Sequence, residues 1–351
     1  MESLPRGRPS DLHRIPLPEG RTLENHTTPT AIPETPQFDG TWERSGRSPN
    51  VAAVAGLLGV GIVYFYGQAI VMTVVIMAMV GLGSSFVDGD GYFHHVAKIV
   101  DLIRTPLRIV LIFSQFFLML LPVLWMVRRW HSSRVRSYIR LRPCSIVQVV
   151  LACAAAIFLF PLNVALSQFF ADKLNVPEEL RTINEGLFSA LSTGEFIFVL
   201  FAIAVTPAIC EEVFFRGYVQ RTFERTLGWK SILLVGVLFG LFHMQPLGLL
   251  FLSGLGFVFG FFYFASKSLL PGMVAHCTNN AIAVSWLYWS GARRVSGIRF
   301  AMVHNPAVVV LAFVFAAATL YVFWIVSRRR STVETGSPNP EKIDPGIPQA
   351  Q

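Results

Sequence analysis

The chain has 351 residues and a formal net charge of +8, and it is 53% hydrophobic but only 14% charged, with a mean hydropathy of +0.54. Several uncharged runs of about 20 residues, the length that carries a helix across a bilayer, exclude an ordinary soluble domain. The arginines gather beside apolar runs, where they set membrane orientation and do not point to nucleic acid.

Residues 1–49 contain eight prolines, many charges and no apolar core, so they are expected to form a disordered cytoplasmic tail. They hold no basic segment followed by a short apolar run, and no cleaved signal peptide is expected. Residues 50–142 then read as N-terminal transmembrane helices and 143–330 as a core with a final helix. Residues 331–351, with four prolines, read as a second disordered tail.

Eight spans are expected, giving an all-α, polytopic membrane bundle. The first lies within the uncharged stretch Ser48–Val87, which exceeds one perpendicular crossing and so implies tilt or a break. The second is Ile109–Val127, bracketed by Arg108 and Arg128, and the third lies in Ser145–Ala171. The fourth starts near Glu195 and carries Glu211, Glu212 and Arg216. The fifth runs from Ser231 to about Met244, the sixth covers Leu247–Ser266, and the seventh starts near Leu269 and carries His276 and Asn280. The eighth is about Pro306–Ser327, closed by Arg328, Arg329 and Arg330. Asp88 and Asp90, in an Asp-Gly-Asp-Gly run, suggest a loop.

The connection after span two holds Arg128, Arg129, Arg134, Arg136, Arg140 and Arg142. Positive-inside bias makes it cytoplasmic and puts both termini there, in a membrane expected to be the plasma (inner) membrane. The loop holding Arg293, Arg294 and Arg299 disagrees, which leaves two readings open: span seven is re-entrant, or the loop breaks the rule. The four cysteines, Cys144, Cys153, Cys210 and Cys277, show no Cys-x-x-Cys spacing, so no thiolate zinc site or disulfide framework is expected.

Ionisable groups at membrane depth are costly and usually functional. Glu212 and Arg216 are spaced i, i+4 and share a helix face, so they can pair, whereas Glu211 is rotated by about 100°. One carboxylate is thus free to be neutralised structurally while the other serves as a general base. Glu211 lies 14 residues from the span end near Arg225, and His243 lies 13 residues from the span start near Lys230. At about 1.5 Å per residue both sit roughly 20 Å along their helices and can meet. His276 reaches that level only if its helix begins deep in the protein, which Pro271-Gly272 permits. His276 and Asn280, also i, i+4, can together donate to a developing oxyanion.

Glu-Glu-x-x-x-Arg (Glu211, Glu212, Arg216), Phe-x-x-x-His (Phe239, His243) and His-x-x-x-Asn (His276, Asn280), in this order on separate apolar spans, resemble the CPBP family. These are the type II CAAX prenyl endopeptidases and their bacterial relatives, the ABI or bacteriocin-processing proteins. The resemblance covers roughly 160–289. It implies an intramembrane endopeptidase in which Glu211 activates the attacking water and Glu212 and Arg216 support it. His243 would hold or deprotonate that water, and His276 and Asn280 would stabilise the oxyanion. The implied substrate is a membrane-associated or lipidated peptide or protein in the lipid bilayer, as in CAAX-type or leader-peptide processing. Family members have been described both as metal-free glutamate proteases and as metalloproteases. With no His-Glu-x-x-His motif in the chain, no cofactor is expected, with Zn2+ on Glu211, His243 and His276 as the alternative. A buried structural ion cluster, a proton-coupled transporter and a non-catalytic scaffold or immunity protein are the competing readings.

Overall fold

The computed structural model describes residues 37–81, 92–175, 188–245, 248–293 and 305–335. The expected loop at Asp88 and Asp90, most of the N-terminal tail, and Arg294 and Arg299 lie outside them. The described residues form ten helices and no strand: α1 (Thr41–Arg44), α2 (Pro49–Gly81), α3 (92–131), α4 (Val135–Tyr138), α5 (Ile146–Lys173), α6 (Thr193–Leu227), α7 (Lys230–Phe242), α8 (Leu249–Ser266), α9 (Leu270–Arg293) and α10 (Pro306–Thr335). Six of them, α2, α3, α5, α6, α8 and α10, are long and apolar enough to cross a membrane. The chain is an integral membrane helical bundle. The fifth and seventh expected spans correspond to α7, with 13 residues, and α9, with 24, which complete the expected count of about eight.

At the centre stands α6. Over half of its apolar window (56%) is buried, against 17% in α2, and every residue from Cys210 to Gln220 is buried. A helix buried all round belongs to the core of a bundle. Around it α7 packs along α8, α10 and α9 lie against α5, and α9 also lies against α6. The α7–α8 crossing is a glycine contact: a Cβ on Gly256 would sit 2.7 Å from the Gly236 carbonyl oxygen. Small residues let helix backbones approach closely where no water drives them together.

Three corrections to the expected boundaries follow. Arg108 does not bracket span two but lies inside α3, 2% exposed. It donates to Glu195 Oε1 at 2.6 Å and to the Ser189 carbonyl at 2.5 Å. The buried charge is tolerated because both contacts satisfy it. His243 does not lie within span five but is the C-cap of α7, and Met244 after it has φ +51°. Thirdly, the chain is ordered before residue 49. Gly40 N–H donates to the His131 carbonyl at 3.0 Å, and Asp39 accepts from the Ser133 N–H (2.8 Å) and hydroxyl (2.5 Å). Glu43 accepts from both Arg225 nitrogens (2.5 and 2.9 Å) and pairs with His131 at 2.6 Å. This short strap ties the ends of α3 and α6 together.

A second set of ties fixes α9. Arg140 makes a forked contact to Glu224 (2.7 and 3.0 Å), which Lys267 joins at 2.8 Å. Leu269 N–H donates to the Arg140 carbonyl at 3.0 Å, and Arg142 Nε donates to the Lys267 carbonyl at 2.6 Å. Ser268, Leu269, Pro271 and Gly272 are all buried, so α9 starts inside the protein, as the depth of His276 requires.

The strap carries a pH signature. Hydrogen bonds from the Ser133 hydroxyl and N–H hold the Asp39 carboxyl below its ordinary range. Burial would raise the Glu43 carboxyl, but its bonds to Arg225 and His131 outweigh this and lower it. Such groups add stability that is complete above the unfolded value of about 4 and is lost as pH falls through the folded value. Glu43→Ala is therefore expected to speed trypsin cleavage after Arg44 and Arg47 at neutral pH. Its deficit in thermal midpoint is expected to shrink as the pH is lowered toward about 3.5. Equal cleavage of the two proteins would contradict the strap.

Candidate functional site

The deepest element is an ion pair on α6. Arg216 Nη1 donates to Glu212 Oε1 at 2.7 Å, and neither side chain is exposed at all. Arg216 Nη2 donates to the Gly256 carbonyl on α8 at 3.1 Å. The guanidinium lies over the rings of Phe239 (4.5 Å) and Phe259 (5.3 Å). His276 Nδ1 stands 2.9 Å from Glu212 Oε1, and its ring stacks on Phe259 at 4.9 Å and 17°. A carboxylate only accepts, so His276 Nδ1 carries the hydrogen and Nε2 is left for other work. One carboxylate thus gathers α6, α8 and α9. Little space is left around it: a Cβ on Gly272 would sit 3.0 Å from Glu212 Oε2.

Glu211 faces the other way. It is 8% exposed, and among the described residues no lysine or arginine pairs with it. Its Oε1 accepts from Gln115 Nε2 on α3 at 2.8 Å. Its Oε2 makes no hydrogen bond and lies 3.7 Å from His243 Nε2. That separation is too long for a direct hydrogen bond but lets both atoms touch one water. The tautomer of His243 follows from the end of α7. The His243 N–H bonds to the Gly240 carbonyl at 3.3 Å, a tighter turn that releases the Phe239 carbonyl. The His243 ring takes it over, with Nδ1 2.7 Å away. A carbonyl cannot donate, so Nδ1 carries the hydrogen, and in the neutral ring Nε2 presents its lone pair toward Glu211.

Asn280 is held by a proline effect. Pro207, inside α6, has no N–H for the carbonyl four residues back, which belongs to Ile203 in a π-helical stretch, Leu200–Val205. Asn280 Nδ2 donates to that carbonyl at 2.9 Å. The neighbouring Asn279 donates to Asn280 Oδ1 at 3.1 Å. One Asn280 N–H is thus committed to the scaffold, and one remains.

Comparison with known families meets this geometry. Residues 193–282 match the Type II CAAX prenyl endopeptidase Rce1-like family. The Rce1-like segment contains Glu211, Glu212, Arg216, His243, His276 and Asn280, in keeping with the CPBP resemblance of the motifs. Neither the curated proteins nor the solved structures include a significant match.

Glu211, His243, His276 and Asn280 all line one cavity of about 750 Å³. Part of its wall comes from outside the Rce1-like segment: Tyr64, Phe65 and Met72 from α2, and Leu111 and Gln115 from α3. Sequence reasoning left both helices out of the site. An amide in an apolar span was the available signal for Gln115. Phe239, the first residue of the Phe-x-x-x-His motif, contacts the His243 ring at 4.7 Å and presents an edge to His276 at 5.9 Å and 81°. The zinc alternative gains no support from the donor set. Among the described residues no three His, Cys, Asp or Glu side chains group closely enough to hold a metal, and His276 Nδ1 is taken by Glu212.

Removing one partner of a fully buried ion pair costs about 3–5 kcal/mol, because a bare charge is left behind, whereas replacing both with apolar groups is often neutral. Arg216→Ala is expected to lower the thermal midpoint in detergent sharply, and Glu212→Gln with Arg216→Met to recover most of it. A stable Arg216→Ala protein would contradict the burial of the pair.

Proposed function

We propose that the protein hydrolyses a membrane-proximal peptide bond with a water activated by Glu211 and His243. The observation that carries this reading is the 3.7 Å approach of a Glu211 oxygen to the lone-pair nitrogen of His243, beside a second carboxylate that is paired with Arg216 through its Oε1. One carboxylate is structural and its neighbour, with no cationic side chain paired to it among the described residues, is left for chemistry.

In this scheme a water held between Glu211 Oε2 and His243 Nε2 attacks the scissile carbonyl carbon and gives its proton to Glu211. The carbonyl oxygen becomes a tetrahedral oxyanion. His276 Nε2, donating as part of an imidazolium because the Nδ1 hydrogen is held by Glu212, and the remaining Asn280 N–H are the donors for it. The C–N bond then breaks, the proton passes from Glu211 to the leaving nitrogen, and the resulting carboxylic acid gives its remaining proton to the amine, leaving a carboxylate and an ammonium. The substrate is a membrane-associated or lipidated peptide or protein that reaches the cavity from the bilayer, and CAAX-type or leader-peptide processing fits this class. The enzyme would lie in the plasma (inner) membrane with both termini cytoplasmic, the side on which Arg134, Arg136, Arg140 and Arg142 would fall.

The purified protein is expected to cleave such a peptide. Loss of a positioned base costs on the order of 10²–10⁴ in rate, so Glu211→Ala and His243→Ala are expected to abolish cleavage while the thermal midpoint persists. Glu212→Ala and Arg216→Ala should weaken activity, partly through stability. Wild-type cleavage by either variant would contradict the assignment, and a biological effect left intact by Glu211→Ala would favour the scaffold reading. Proton-coupled uptake without cleavage would favour the transporter. Metal analysis of the pure, active protein is expected to give well under one zinc per chain, and stoichiometric zinc needed for activity would replace the metal-free scheme.

A further inference from the structure

The Rce1-like segment does not contain every group that touches Glu211. Gln115 lies on α3, 1% exposed, in a π-helical stretch, Ser114–Leu120, a local widening that occurs often at functional sites. Its Nε2 donates to Glu211 Oε1 at 2.8 Å and contacts the Tyr64 hydroxyl oxygen at 3.4 Å. The opposite amide orientation would put a carbonyl against a carboxylate, so chemistry fixes the nitrogen toward Glu211. The Gln115 oxygen is buried without a hydrogen-bond partner, as is Glu211 Oε2.

Two consequences follow from this single bond. Glu211 has two equivalent oxygens and a soft terminal torsion; a donor on Oε1 removes that freedom and leaves Oε2 facing His243. An amide does this without cancelling charge. Arg216 pairs with Glu212, whereas Gln115 gives Glu211 a donor that carries no charge of its own. A buried amide left with an open acceptor is costly, and the fold tolerates that cost at this position.

We infer that Gln115 is a positioning residue, supplied by a helix outside the family match, that orients Glu211 so that Oε2 and His243 Nε2 share one water. This rests on the reading of Glu211 as the base. Its structural part, the orientation of the carboxylate, is testable without any substrate.

Gln115→Met keeps the length and removes the donor. In the full chain in lipid nanodiscs, with a lipid-anchored fluorogenic peptide that the wild type cleaves, kcat is expected to fall about 10–100-fold, because misplacement of a reacting group by about 1 Å costs on that order. KM should stay within about threefold and the thermal midpoint within a few degrees. A purely structural residue would lose activity only in step with the folded fraction. An experimental structure of the variant is expected to show Glu211 turned away from its 3.7 Å approach to His243. Unchanged kcat, or an unchanged Glu211–His243 approach, overturns the inference. If Glu211→Ala itself retains cleavage, the base assignment falls instead. If Glu211→Ala is inert while Gln115→Met keeps wild-type kcat, only the role of Gln115 falls.

Discussion

The Glu212–Arg216 pair is the constraint around which the bundle is organised. Two opposite charges with no exposure inside a membrane protein must find every partner within the fold, because lipid offers none. The partners they find lie on three helices: the Gly256 carbonyl on α8, His276 on α9, and the rings of Phe239 on α7 and Phe259 on α8. Satisfying the pair therefore sets how close α8 comes, which the Gly236–Gly256 contact allows, and the depth at which α9 begins. Such a pair is weak evidence for net stability, but it is costly to disturb, and this gives a site its fixed geometry.

Once Glu212 is paired, the adjacent Glu211 is forced onto another face of α6. That face meets the inner end of α7 and the middle of α3. Each helix delivers its group through a local departure from regular α-structure. The tightened last turn of α7 frees the Phe239 carbonyl and orients His243. Pro207 leaves the Ile203 carbonyl to Asn280. The π-helical stretch of α3 carries Gln115. Backbone groups without helical partners are expensive at this depth, so the freed carbonyls of Phe239 and Ile203 each recruit a side chain, and His243, Asn280 and Gln115 all line the cavity.

Much of this was legible in the chain. Runs of apolar residues gave the helices, the spacing of Glu211, Glu212 and Arg216 separated the two carboxylates by face, and counting residues from Arg225 and Lys230 brought Glu211 level with His243. The depth of His276 followed from Pro271-Gly272 only as a condition; the ties among Arg140, Glu224 and Lys267 that meet it connect segments far apart in sequence. Arg108 misled, because an arginine at the edge of an apolar run looks like an interfacial anchor until its partner Glu195 is seen. Gln115 and Tyr64 were invisible for a similar reason: their importance lies in contacts across 96 and 51 residues of chain. The commitment of Asn280 to the scaffold needed the proline and the amide to be read together across two helices.

The central claim is that one buried carboxylate is neutralised while its neighbour and an imidazole grip a single water. The most direct measurement is an experimental structure in lipid at a resolution that orders internal solvent. A water is expected within about 3 Å of both Glu211 Oε2 and His243 Nε2, with Arg216 on Glu212 and not on Glu211. Density placing Arg216 on Glu211, or His243 turned so that Nε2 faces away from it, would contradict the account.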